Sequence, residues 1–109
     1  LWPSFVESLM DQTRSHYEKN TVTMILALSP TSLTSLNQAH QRYGKELAHT
    51  LAHLTGDRGS EQLVRSCEIA SEIADCVWRK SFVEHQIILP SFHQQAKSAV
   101  ISYLKSVIR

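Results

Sequence analysis

Histidine is the residue type in this chain with the widest chemical repertoire, and six histidines occur among its 109 residues. An imidazole can bind a metal ion, move a proton or take up a phosphoryl group. His49 and His53 lie four residues apart in a helical pattern, so both side chains could reach one ion. A third ligand is not evident nearby, no HExxH pattern occurs, and His40 falls on an apolar stripe. We therefore expect no metal site and no bound cofactor.

His49 also has the features of a phosphoacceptor. It lies about 160–200° around the helix from Leu47 and Leu51, which predicts an imidazole that faces solvent. The stretch that contains it, Ala48-His49-Thr50-Leu51, is followed by Gly59, Leu63 and Cys67-Glu68. This motif resembles the histidine phosphotransfer domain, a four-helix bundle that accepts a phosphoryl group on an exposed histidine. The resemblance implies His49 as the acceptor.

The residues that follow His49 differ from that family. Its members usually have Lys and Gly three and four residues after the histidine, where this chain has Ala52 and His53. The lysine would offset phosphoryl charge and the glycine would clear space around it. Phosphotransfer through His49 is therefore carried as an alternative function.

Other nucleophiles give weaker signals. Cys67 and Cys76 are nine residues apart in one predicted helix, so their Cα atoms would be roughly 13 Å apart, too far for a disulfide. We expect both thiols to be reduced and mostly buried, where a thiolate is disfavoured. No CxxC, GxSxG, phosphate-binding loop or dinucleotide motif occurs. Conventional catalysis is not expected.

The elements that would position these residues are helices. Only three Gly and three Pro occur, too few turn residues for a sandwich or barrel. Apolar residues recur at helical spacing in four segments, which are about 2–18, about 33–54, a segment that Ser60 can cap, and one from Phe92 onward. The sequence therefore predicts an all-α fold of three to four long antiparallel helices in an elongated bundle.

Three local features add detail to this prediction. The apolar run Val22–Leu28 could be helix or strand, and we favour helix. Pro90 should interrupt or kink the helix that precedes it. Ile69, Ile73 and Cys76 widen the apolar face of the Ser60-capped helix, which predicts burial on two sides.

Composition limits the class of protein. The chain is 42% hydrophobic and 19% charged, with a formal net charge of +1. These values indicate one globular domain over residues 1–109 and argue against nucleic-acid binding through bulk charge. No apolar run is long enough to span a bilayer, and no signal peptide is evident. We expect a cytoplasmic protein, with peripheral membrane association as an option, and the helical pattern at the end suggests part of a longer helical domain.

A second resemblance covers most of the chain. Leu1-Trp2-Pro3-Ser4-Phe5, Gln41–Leu47 and Val83–Phe92 together resemble the start of an F-BAR, or more loosely BAR, domain. That resemblance implies an elongated helical dimer with Lys and Arg on a face that meets anionic phospholipid. By position it implies Arg42 and Lys45 as lipid contacts.

Charge alone adds three further lipid-contact candidates, Arg79, Lys80 and Lys97. Our leading hypothesis is a non-enzymatic helical module that forms a homodimer or binds a helical partner, and that binds anionic membranes as F-BAR domains do. The alternatives are phosphotransfer through His49 and an adaptor bundle that holds a partner helix in an apolar groove.

Overall fold

The predicted all-α architecture is confirmed. The computed structural model describes residues 2–19, 33–56 and 60–108, and within these ranges it contains four helices and no strand. The helices are α1 (Trp2–Lys19), α2 (Leu33–Thr55), α3 (Glu61–His85) and α4 (Pro90–Val107). The bounds of α1 and α2 agree with those predicted from the hydrophobic periodicity to within one residue. The prediction for Val22–Leu28 lies outside the described residues.

Hydrogen bonds that cap the helix define both ends of α3. At its start, the Ser60 hydroxyl accepts a hydrogen bond from the Leu63 amide at 3.2 Å, as predicted. At its end, Gln86 takes a left-handed conformation (φ 66°), and its backbone N–H donates to the Phe82 carbonyl. The helix therefore ends at His85, before the proline.

Pro90 begins the next helix rather than bending the previous one. It occupies the first turn of α4, where its missing N–H leaves no hydrogen bond unmade. The buried Ser81 hydroxyl holds the intervening turn, because it donates to the Ile87 carbonyl at 2.8 Å and accepts from the Leu89 amide at 2.9 Å. Pro90 thus lies at a boundary between two helices. This agrees with interruption of the helix, the first of the two predicted options, and not with a kink.

The four described helices pack around one core. α3 lies at the centre of this packing, in close contact with α2 on one side and α4 on the other. The Cα trace has principal extents of 39 × 29 × 20 Å. Each helix contributes to the core, which consists of Val6, Met10, Ala48, Leu51, Leu63, Cys67, Ala70, Ala74, Trp78, Ile88, Ala96, Val100 and Leu104. No described helix combines the length and the apolarity needed to cross a bilayer.

Gly44 permits the close approach of α2 to α3. A Cβ at this position would lie 2.5 Å from Glu68 Cγ and 2.9 Å from the Glu68 backbone nitrogen. The Glu68 side chain can move, but its backbone nitrogen belongs to the interior of α3. The glycine is therefore required by packing rather than by its own backbone angles.

Gly44→Ala should destabilise the fold. Relief of the clash should cost about 1–3 kcal/mol, more than the gain of about 1 kcal/mol that alanine brings inside a helix. We expect a net loss in the free energy of unfolding, measured by urea denaturation followed by circular dichroism. A net gain close to the helix-propensity value would show that α2 and α3 are further apart than described.

α1 is attached mainly through side chains. It makes few close backbone contacts with α2 and somewhat more with α4. Arg14 donates from Nη2 to the Ile88 carbonyl at 2.7 Å. Asp11 Oδ1 lies 2.6 Å from His93 Nε2 and 3.1 Å from Lys97 Nζ.

The tautomer of His93 follows from its second contact. The Trp78 indole N–H donates to His93 Nδ1 at 3.1 Å, and an indole can only donate. His93 Nδ1 must therefore be unprotonated, and the proton lies on Nε2, which donates to Asp11. The three side chains form one directed chain of hydrogen bonds from α3 through α4 to α1.

Acid should weaken the attachment of α1. The hydrogen bonds from His93 and then Lys97 hold the pKa of Asp11 below its ordinary value of 3.8. Because a lowered pKa stabilises the fold only while the carboxylate is charged, this contribution is present above about pH 4 and is lost as the pH falls through the folded-state pKa. Asp11 is more than half exposed, so the effect should be no more than about 1 kcal/mol.

Urea denaturation of the wild type and Asp11→Asn at pH 5 and pH 3 measures this contribution. We expect the wild type to lose more stability between the two pH values than the variant does. Equal losses would mean that Asp11 does not titrate differently in the folded and unfolded chain.

Two burial predictions for α3 are wrong. Cys76 is exposed rather than buried, and Ile69 is 37% exposed. Ile73 is half-buried against the core. The second apolar side of α3 is therefore only partly covered within the described bundle.

Candidate functional site

His49 lies on the outward face of α2, as predicted from its angular position. Ala48, next to it in sequence, and Leu51, two residues further on, are in the core at 1% and 0% exposure. His49 itself is exposed. The helix axis thus separates the imidazole from the packed side of α2. Such a side chain is open to a reaction partner as large as another protein.

The other residues of the His49 motif have structural roles. Leu63 and Cys67 lie in the core beneath α2. Burial raises the pKa of the Cys67 thiol to about 12, so this cysteine is not a nucleophile. Glu68 is the residue against which Gly44 packs. Gly59 lies outside the described residues.

Two further side chains with ionisable groups share the exposed face of α2 with His49. Lys45 is one turn before it and His53 is one turn after it, and all three side chains are exposed. Arg42 lies a further turn toward the N-terminus, with its guanidinium 5.9 Å from the centre of the Tyr43 ring. Within the described part of the chain, neither Lys45 nor Arg42 has an ion-pair partner.

The structure does not gather the five predicted lipid contacts into one cluster. Three of them pair with carboxylates: Arg79 Nε lies 2.8 Å from Asp75 Oδ2, Lys80 Nζ lies 2.8 Å from Glu84 Oε2, and Lys97 Nζ lies 3.1 Å from Asp11 Oδ1. The remaining two are Arg42 and Lys45, on the face that carries His49. The five residues are spread over α2, α3 and α4.

An apolar groove of about 520 Å³ lies between α1 and α2, above α3. Its floor is formed by Ala70, Ala74 and Trp78. Its walls include two partly exposed apolar residues, Leu9 of α1 and Tyr43 of α2. The groove exists because α1 makes few close backbone contacts with α2. Sequence periodicity could not indicate it, since both residues lie on predicted core stripes.

A buried polar cluster joins α2 to α3, and residue spacing indicates only one of its members. His40, placed on the apolar stripe by its spacing, is buried, and its Nδ1 lies 2.7 Å from Ser71 Oγ. Its Nε2 lies 3.6 Å from Asp75 Oδ2, which also contacts Arg79. Ser71, Asp75 and Arg79 follow one another at four-residue steps in the sequence. Apolar residues lie between them, so this spacing does not by itself indicate a polar cluster.

This cluster lacks the geometry of a hydrolytic site. Ser71 lies in the interior of α3, where backbone N–H groups are already bonded along the helix and cannot stabilise an oxyanion. The cluster instead fixes α2 against α3. In the described ranges, no group of three or more His, Cys, Asp or Glu side chains is arranged to hold a metal ion.

The comparisons with known proteins give no family assignment. A scan against protein families, a search of curated proteins and a search of solved structures each find no match to this chain. The fold and the position of His49 are therefore the observations from which a function must be inferred.

Proposed function

We propose that this chain is a histidine phosphotransfer module whose phosphoacceptor is His49. The observation that carries the proposal is the position of His49 on the outer face of α2 in a bundle whose described residues form four helices. The sequence around it resembles the histidine phosphotransfer family, and the motif residues Leu63 and Cys67 are in the core. An exposed imidazole on a rigid helix suits a reaction in which the partner protein supplies the remaining catalytic groups.

The reaction is the transfer of one phosphoryl group to an imidazole nitrogen. The lone pair of the unprotonated nitrogen of His49 forms a bond to phosphorus. The bond between phosphorus and the donor breaks, and its electron pair leaves with the donor, an aspartyl carboxylate in the case of a response-regulator protein. The other nitrogen of His49 keeps its proton. The product is a phosphohistidine, which acid hydrolyses and alkali preserves.

Chemical phosphorylation tests this proposal without a known partner. The full chain is incubated with phosphoramidate, and phosphohistidine is followed by phosphorus NMR and by its loss in acid. We expect one histidine to react well ahead of the other five, and this signal to be absent in His49→Gln. His53→Gln is the matched control, because it removes an exposed histidine from the same face and should retain the signal.

The proposal fails if His49→Gln reacts like the wild type. It also fails if the wild-type chain shows no histidine that reacts faster than its other exposed histidines. A normal circular dichroism spectrum of His49→Gln ensures that the comparison concerns the imidazole and not the fold.

A second candidate function is self-association through the groove between α1 and α2. The observation that favours it is the partial exposure of Leu9 and Tyr43 at the groove walls, since apolar residues of this kind gain stability when a partner covers them. We take the occupant to be a second copy of the chain, in line with the helical dimer expected from the sequence.

Sedimentation at micromolar concentration distinguishes this candidate. A dimer in the wild type that dissociates in Leu9→Glu and Tyr43→Glu would support it. Val83→Glu is the control, because Val83 is exposed but lies outside the groove. A monomeric wild type would exclude it.

Membrane binding stays a prediction, and co-pelleting with anionic vesicles is its test. The residues expected to contact lipid are Arg42, Lys45, Arg79, Lys80 and Lys97.

A further inference from the structure

We infer that Lys45 is the residue that stabilises the charge of a phosphoryl group on His49, an inference that rests on the proposed function. A phosphoryl group on an imidazole carries up to two negative charges. His49 is exposed, and the N-terminus of its own helix lies sixteen residues earlier, at Leu33. A cationic side chain is therefore the available source of stabilisation.

Lys45 has the right position. It precedes His49 by four residues in α2, so the two Cβ atoms are about 6 Å apart on one face. Helical side chains lean toward the helix N-terminus, which directs the His49 ring over the turn that contains Lys45. The four-carbon stem of a lysine is long enough to bring its ammonium group to a phosphoryl group bound there.

Lys45 is also available. Arg79, Lys80 and Lys97 each pair with a carboxylate, whereas Lys45 is exposed without such a partner among the described side chains. The other charged groups on this part of α2 are Glu46 and Arg42. Arg42 is seven residues from His49, about two turns. Glu46 would repel the phosphoryl group, so the need for a nearby cation is greater.

The test compares variants of Lys45 in the phosphoramidate reaction. Phosphoramidate reacts as its zwitterion, whose nitrogen already carries three protons. The unprotonated nitrogen of His49 bonds to phosphorus, the P–N bond breaks, and its electron pair leaves with that nitrogen as ammonia. We expect Lys45→Gln to slow this reaction about 3- to 10-fold, in line with the loss of one unit charge at this separation near a protein surface. Lys45→Arg should restore most of the rate, and Arg42→Gln should change it little.

A second readout separates charge stabilisation from a structural role. The phosphorus NMR shift of phosphorylated His49 is titrated with pH. Because Lys45 favours the dianion, we expect the phosphoryl pKa to be higher in Lys45→Gln than in the wild type and in Arg42→Gln. A loss of helical packing would not produce this selective shift.

The outcomes distinguish the two proposals. A wild-type chain that takes up no phosphoryl group at His49 overturns both. A wild type that is labelled at His49, with Lys45→Gln equal to it in rate and in phosphoryl pKa, overturns the role of Lys45 and leaves the phosphoacceptor in place.

Discussion

Replacement of Arg79 by methionine is expected to lower the free energy of unfolding by about 3 kcal/mol, because it leaves the buried Asp75 carboxylate without its cation. Asp75 is 2% exposed, and Arg79 Nε lies 2.8 Å from its Oδ2. Their contact is a charge pair rather than a well-directed hydrogen bond. Arg79 is itself partly open to water, which keeps the expected loss at the lower end of the range for buried pairs.

A double variant separates the cost of a stranded charge from the value of the pair. Asp75→Leu combined with Arg79→Met removes both charges and substitutes apolar volume. We expect it to regain most of the stability lost in Arg79→Met, because a buried ion pair contributes little relative to well-packed apolar residues. His40 keeps its contact with Ser71 in both variants.

Urea denaturation of the four chains of this cycle, followed by circular dichroism, gives the coupling energy. If Arg79→Met were as stable as the wild type, Asp75 would not depend on Arg79 for its charge balance. The polar cluster between α2 and α3 would then be a packing feature without an ionic component.

The helices were predictable because their signals are local. Apolar spacing located α1 and α2. Ser60 marked the start of α3, because capping needs only a hydroxyl that accepts a hydrogen bond from the backbone amide three residues later. The exposure of Cys76 was not predictable in the same way. Periodicity places a residue around its own helix axis, but it does not state on which sides of that axis the neighbouring helices pack.

The same distinction applies to the candidate site: the position of His49 is a property of one helix, whereas the pairing of the basic residues depends on how the helices pack. The outward position of His49 follows from its angle to Leu51, which is in the core. The fate of the basic residues depends on other helices: Lys97 is paired because α1 brings Asp11 to α4. The F-BAR resemblance indicated Arg42 and Lys45, and charge indicated three further residues. Only the packing shows that those three are paired with carboxylates.

Replacement of Trp78 should have the largest effect on stability of any single substitution considered for this chain. Its side chain is 3% exposed, and its ring stacks on His93 with centroids 5.9 Å apart. Trp78→Ala removes this ring from the core and should cost about 3–5 kcal/mol. A domain of this size has about 5–15 kcal/mol of stability in total, so the variant should be close to unfolding at physiological temperature.

Trp78→Phe isolates the indole N–H from the bulk of the ring. It keeps an aromatic side chain in place but leaves His93 Nδ1, deep in the bundle, without its donor. We expect a smaller loss of about 1–3 kcal/mol, the cost of an unsatisfied buried acceptor. The chain of hydrogen bonds to Asp11 would then lose its first member, while the Asp11 carboxylate, which can only accept, still holds the His93 proton on Nε2.

Thermal and urea unfolding of both variants measure these losses by circular dichroism, since the substitutions remove a fluorophore. The nitrogen NMR shifts of His93 in Trp78→Phe report the tautomer directly. Because Asp11 accepts from Nε2 in either case, we expect the Nδ1 shift to change and the Nε2 contact to persist. A Trp78→Phe variant with wild-type stability and unchanged His93 shifts would contradict a role for this hydrogen bond in joining α1, α3 and α4.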